Sequence, residues 1–253
     1  MKISFKFLII LSFVFCLFTP NRNSYTSNNI FPENSLWLED CLYCKSFGGI
    51  TQSDFNLIVD TALKVYKTDA DQNNEDLIIN KRWTDPTVNA DTMRRGQEVV
   101  INMYGGLARR SEINKEGFIL VLCHELSHAY GGTPYITTYN KISAEGQADY
   151  MSSKVCAKKI IDLLSLTYSL EPTNFMKESC SNNNTCVTTL SGGLSLGSLL
   201  SVISNEPEPN YETPDTTVVS HTLLSYPDTI QCRLDTYFNG AVGKERPRCW
   251  FKN

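Results

Sequence analysis

Histidine is scarce in this chain, with three residues among 253, so any grouping of them is informative. A basic stripe is missing as well: the formal net charge is -4, and Arg94-Arg95 and Arg109-Arg110 stand as isolated pairs. A polyanion needs clustered cations, so nucleic acid is not an expected partner. No segment repeats and no apolar heptad recurs, which removes solenoids and coiled coils. The N-terminal apolar run, Phe7 to Phe18 and broken only at Ser12, is 12 residues long. A spanning helix needs roughly 20.

That short run fits an export signal instead. Lys2 and Lys6 precede it and the polar segment Asn21 to Asn29 follows, the order of a secretory signal peptide over about residues 1–24. No small-x-small pair marks a cleavage site, so a retained membrane anchor is the alternative. Phe15, just before Cys16, is too bulky for a usual lipoprotein signal. Once the signal is removed no stable membrane span is expected, and the location is secreted or periplasmic, in a bacterial cell envelope. Residues 30–253, roughly 225 in all, suffice for a single domain with its own core.

Of nine cysteines, eight lie beyond the signal, an even number that suits an oxidising compartment. Cys180 and Cys186 bracket a polar loop and are expected to pair, and Cys232 with Cys249 ties the C-terminal tail to its helix. Cys41-Leu-Tyr-Cys44 has no second C-x-x-C and no nearby histidine to complete a zinc site, so a disulfide role is expected there. Cys123 and Cys156 fall on two candidate helices. If those run antiparallel with Asp149 beside His124, the two cysteines are offset by about 8 to 10 Å, beyond the disulfide limit, and they are expected to remain unpaired or to pair elsewhere.

Two of the three histidines sit four residues apart in Val121-Leu-Cys-His-Glu-Leu-Ser-His-Ala-Tyr-Gly-Gly132, with Glu125 directly after His124. On a helix, residues i and i+4 share a face, so the imidazoles of His124 and His128 can reach one metal ion while Glu125 flanks its open side. The apolar residues Phe118 to Leu122 imply a buried helix, capped by Asn114 or Ser111 and stopped at Gly131-Gly132. Imidazoles and a carboxylate buried there need a partner, because desolvating them unpaired is costly. Downstream, Glu145 and Asp149 are also four apart, on a stretch from Ser143 to about Leu164 that reads as a second helix with Ser143 as N-cap. One carboxylate can complete a metal triad and the other can hold a ligating histidine through its free ring N–H.

An H-E-x-x-H followed by E-x-x-x-D resembles the gluzincin zinc metallopeptidases. The stretches around Phe47-Gly-Gly-Ile50, Thr87-Val-Asn-Ala90, Met103 to Arg109, Glu145 to Tyr150 and Gln231 to Thr236 are similar to secreted bacterial proteins of HtpX-like and CaaX-protease-like type. The resemblance implies an α+β, zincin-like domain: a small mixed sheet packed on two metal-bearing helices, with a helical C-terminal part. It implies Zn²⁺ as cofactor, held by His124, His128 and Glu145, with Glu125 as general base, Asp149 orienting His124, and a peptide or protein as substrate. Such enzymes tend to carry a His-Pro pair where this chain has Tyr226-Pro227, so the transition-state donor is open among Tyr226, His221 and Arg233.

The remaining elements follow from patterning. Thr51-x-x-Asp54 opens a helix whose apolar face is Phe55, Ile58, Val59, Ala62, Leu63 and Tyr66, followed by a polar loop from Asp69 to Glu75. Strands are expected at Leu77 to Trp83, around Thr87 to Ala90, and at Gln97 to Tyr104, the last of these, by resemblance, an edge strand that pairs with substrate. Leu190 to Ser204 reads as a glycine-interrupted apolar helix, Asn205 to Thr216 as an extended loop, and Asp228 to Phe238 as a closing helix. Beside the peptidase reading stand a catalytically inactive zinc-bound envelope binding protein and a metal-free structural protein.

Overall fold

The computed structural model describes residues 28–40 and 49–252. The expected signal peptide and the Cys41-x-x-Cys44 pair lie outside the described residues. The fold is α+β: a four-stranded mixed sheet with strand order β1-β3-β4-β2 packs on helices that carry the rest of the chain.

Helix α1 (Gln52–Gln72) starts where the sequence pattern places it. The Thr51 hydroxyl accepts from the Asp54 N–H at 3.1 Å, and Phe55, Ile58, Val59, Ala62, Tyr66 and Ala70 form its buried stripe. It runs on through Asp69–Gln72, expected to be loop, because Ala70 is buried and continues the helical period.

Strand β2 (Asp76–Arg82) pairs in parallel with β4 (Glu98–Tyr104), and β4 pairs antiparallel with β3 (Ala90–Arg95). Gly96, at φ +63°, opens the two-residue turn that joins β3 to β4. Val99, Ile101 and Met103 alternate inward with Ala90 and Thr92 beside them. Two strand expectations need correction. The third strand runs over Ala90–Arg95, while Thr87 makes only an isolated bridge with Trp37; the polar run Asp91-Thr-Met-Arg-Arg95 disguises its alternation. Strand β4 is not an edge, since β2 and β3 pair with both its sides. The edges are β2 and the two-residue β1 (Asn28–Asn29), which pairs with β3 at Asp91 and Thr92.

Helix α2 (Gly105–Ala108) is one short turn, and α3 (Lys115–Tyr130) follows it through the centre of the molecule. Asn114 is the N-cap, its side chain accepting from the Gly117 N–H at 2.8 Å. Residues Glu116 to His128 of α3 are all buried. The Glu116 carboxylate is held by Ser169 N–H at 2.6 Å, Ser169 Oγ at 2.8 Å and Ser191 Oγ at 2.7 Å.

A small hairpin, β5 (Tyr135–Thr137) and β6 (Ile142–Ser143), leads into α4 (Glu145–Met151), a π-helical turn (Ser152–Cys156) and α5 (Ala157–Leu164). The stretch expected to be one helix from Ser143 to about Leu164 ends there, but in three segments. Ser143, however, is no N-cap: it lies in β6, and its hydroxyl donates to the Gly132 carbonyl at 2.7 Å.

After the short α6 (Asn174–Ser179), helix α7 (Asn184–Ser204) is long and apolar enough to cross a membrane, yet it packs inside the fold with Leu190, Leu196 and Leu199 buried. Helix α8 (Ile230–Val242), capped by Thr229, closes the fold against α4 and α7.

Three disulfides are present among the described residues. Cys180–Cys186 and Cys232–Cys249 match expectation. Cys123–Cys156 does not: it links α3 to the π-helical turn with a Cα separation of 5.5 Å. The expected offset assumed α-helical rise from Asp149 to Cys156. A π turn closes i→i+5 bonds and spends more residues per unit of axial length, which shortens that offset. The His124–Asp149 contact is made by side chains and does not force their backbones level.

Candidate metal centre

Two helices meet at the centre of the molecule. From α3 come His124, Glu125 and His128, and from α4 come Glu145 and Asp149; all are buried, with Glu145 at 4 % and the rest at 0 % exposure. The imidazoles of His124 and His128 stand 4.5 Å apart and nearly perpendicular. Each is fixed through its Nδ1: that of His124 is 2.7 Å from Asp149 Oδ1, and that of His128 is 2.8 Å from the Ser143 carbonyl. With the proton on Nδ1 in both rings, each Nε2 turns a lone pair inward.

Those two Nε2 atoms have no hydrogen-bond partner in the protein, and neither do Glu145 Oε2 and Glu125 Oε1. Buried polar atoms left unbonded are expensive unless something else binds them. His124 Nε2 lies 3.3 Å from Glu145 Oε2, and His128 Nε2 lies 3.6 Å from Glu145 Oε1. One ligand atom from each of the three residues falls within 4.8 Å of the others, so His124, His128 and Glu145 can hold a metal ion. Cys232, Cys249 and Asp215 also lie close together, but the two cysteines are a disulfide and offer no thiolate.

Charge balance points the same way. Arg233 on α8 makes a fork to Asp149, Nε to Oδ2 at 2.9 Å and Nη2 to Oδ1 at 2.8 Å, and the Tyr237 hydroxyl also donates to Oδ1. Burial opposes the Asp149 charge, yet Arg233 and His124 hold its carboxyl well below the usual carboxylate range. With Arg233 engaged by Asp149, Glu125 and Glu145 are buried alongside the two imidazoles without a guanidinium of their own, a cluster that a cation would satisfy. The protein alone strains to supply protons there. Burial raises the Glu125 carboxyl to about 8 against the pull of His124 and Thr92. Burial would lower His124, but Asp149 and Glu145 push it up to about 9. Burial carries His128 down to about 4.

Glu125 is aimed from the sheet. The Thr92 hydroxyl on β3 lies 2.6 Å from Oε2, leaving Oε1 free. Sequence reasoning missed Thr92, because it is 33 residues away on a strand whose inward face was not recognised. Arg233 had been set among the donors for a reacting oxygen; it is instead spent on Asp149, with Nη1 on the Ile30 carbonyl at 2.7 Å.

Tyr226 and His221 line, together with Glu145, an open cavity of about 710 Å³ whose walls include Phe31, Ile136, Leu223 and Leu224. Both thus share a cavity with Glu145. The Tyr226 hydroxyl donates to the Asn29 carbonyl, and Arg233 lies over its ring at 5.5 Å. His221 is exposed, with Nδ1 3.1 Å from Ser220 Oγ.

Comparison of the chain with protein-family models, with curated proteins and with solved structures finds no match in any of the three.

Proposed function

We propose that the chain is a zinc-dependent peptidase with a zincin-like fold, exported to an oxidising compartment. The observation that carries this reading is the convergence of His124 Nε2, His128 Nε2 and Glu145 Oε2, all buried and unbonded, beside the free Oε1 of Glu125. Bonds of about 2.0–2.2 Å in a tetrahedral arrangement put ligand atoms roughly 3.3 Å apart, in keeping with the 3.3 and 3.6 Å separations of the imidazole nitrogens from the Glu145 oxygens. Two imidazoles and one carboxylate form the donor set of a hydrolytic zinc site rather than the all-protein cage of a structural one. The three disulfides agree with export.

Zinc in this position supplies Lewis acidity, making water acidic near neutral pH and polarising a carbonyl. The remaining work falls to the protein. Glu125 Oε1 accepts the proton of the attacking water and returns it to the leaving amine, while Thr92 keeps Oε2 occupied so that one oxygen faces the reaction. Asp149 and the Ser143 carbonyl fix the two rings. The cavity beside Glu145 accommodates substrate.

The second reading, a zinc-bound protein without turnover, draws on one observation: the Tyr226 hydroxyl is already donated to Asn29. Metal analysis with hydrolysis of a mixed peptide library separates the two. The peptidase reading expects stoichiometric zinc, and a fall of roughly 10²-fold or more in turnover for Glu125→Gln at unchanged zinc. Equal rates in wild type and Glu125→Gln would sink the mechanism. Bound zinc with no turnover in either would leave the binding protein.

A further inference from the structure

The metal ligand Glu145 begins α4 with weak local support. Its N-cap, Ala144, offers no side-chain bond, so the first turn is steadied from elsewhere. The Glu145 N–H reaches the Leu224 carbonyl only at 3.4 Å, and Leu223 N–H in turn donates to the Trp250 carbonyl at 2.8 Å. Arg246 Nε donates to Gln147 Oε1 at 2.6 Å, and the Tyr150 hydroxyl to the Lys244 carbonyl at 2.7 Å. The C-terminal segment therefore lies along α4 from its first residue onward.

At its centre is Trp250, 0 % exposed. Its indole covers Gly146, the residue after Glu145. A Cβ built at Gly146 would stand 2.3 Å from indole Cδ2 and 2.6 Å from both Cε2 and Cε3, far inside contact distance. Glycine is thus required by the ring, and the ring sets how closely α4 can approach. The indole Nε1 is buried without an acceptor, which is destabilising on its own account, so the ring contributes through its packing. Cys249, its neighbour, is tied to Cys232 on α8. The next residue of α8, Arg233, grips Asp149. One body of chain consequently supports both carboxylates that α4 brings to the metal centre.

We infer that Trp250 is a positioning residue for the metal: by resting on Gly146 it fixes the direction of the Glu145 carboxylate, and with it the affinity of the site. The inference rests on the metal reading of His124, His128 and Glu145. Partners behind the ligands of known sites commonly change affinity by about 10- to 100-fold when removed.

The test is zinc affinity by chelator competition on the full mature chain, in wild type, Trp250→Leu, Trp250→Phe and Gly146→Ala, with the Cys232–Cys249 bond verified by mass. Trp250→Leu should weaken zinc by roughly 10-fold or more, and Trp250→Phe, which keeps an aromatic plate, should recover most of it. Gly146→Ala should weaken zinc in the wild-type background but much less in Trp250→Leu, where the ring it strikes is gone. Should Trp250→Leu fail to fold, the Phe and Ala variants carry the same comparison. Wild-type affinity in the folded variants, or an equal Gly146→Ala effect in both backgrounds, would overturn the positioning role while leaving the metal site intact. A wild-type chain that takes up no zinc at all would remove the metal reading and this inference together.

Discussion

Asp149 shows what a single buried carboxylate needs in order to support the candidate metal centre. It orients His124 from one side and takes the Arg233 fork from the other, with Tyr237 completing its bonds. An ion pair of this kind is weak as a source of stability but costly to break, since removing one partner strands the other in the interior. Arg233→Ala is therefore expected to lower unfolding stability by about 3–5 kcal/mol, measured by urea denaturation of the metal-free protein. Arg233→Lys keeps the charge but loses the planar fork, and should fall between. A loss below about 1 kcal/mol for Arg233→Ala would mean that water replaces the guanidinium easily, and that Asp149 is held by His124 and Tyr237 instead. At this scale the sequence was legible wherever chemistry repeats on a helix: His124 with His128 and Glu145 with Asp149 are each one helical turn apart. It was silent on Thr92 and on the use of Arg233, because those contacts cross 33 and 84 residues and no local pattern announces them.

Among the elements, the pair formed by α3 and α4 carries the centre, and the Cys123–Cys156 bond braces it just behind the ligands. The sequence predicted the limits of α3, marked by its buried run, Asn114 and the glycine pair, but read as one helix from Ser143 to about Leu164 what is α4, a π-helical turn and α5 in succession. It misjudged the cross-link because a π-helical turn leaves no compositional trace in Ser152-Ser-Lys-Val-Cys156. Likewise, sheet order is a property of pairing, so the central place of β4 could not be read from its own apolar alternation. The bond closes a loop of 33 residues, for which the chain-entropy estimate is about 3–4 kcal/mol. Cys123→Ser with Cys156→Ser should accordingly shift the denaturant midpoint down, and should broaden the cobalt spectrum of the substituted site as the two helices gain freedom. An unchanged midpoint would show that packing along α3 suffices without the bond.

For the molecule as a whole, the candidate ligands come from two helices whose positions are secured by the protein's own bonds. Rings and carboxylates are held by Asp149, Ser143, Thr92 and Arg233, the helices by a disulfide, and the second helix by the C-terminal segment. A site organised in this way need not be assembled by its cofactor, in contrast to small domains that fold only around zinc. Stripping the metal with a chelator should therefore leave a cooperative unfolding transition, lowered only by the binding contribution, RT ln(1 + [L]/Kd), about 2.7 kcal/mol at a hundredfold excess over Kd. Loss of cooperativity in the stripped protein would show that the ion is part of the core. On the proposed zinc reading, a chain organised in this way forms its disulfides and folds first and takes up its metal last, so the supply of zinc around the finished protein would control when the site is switched on.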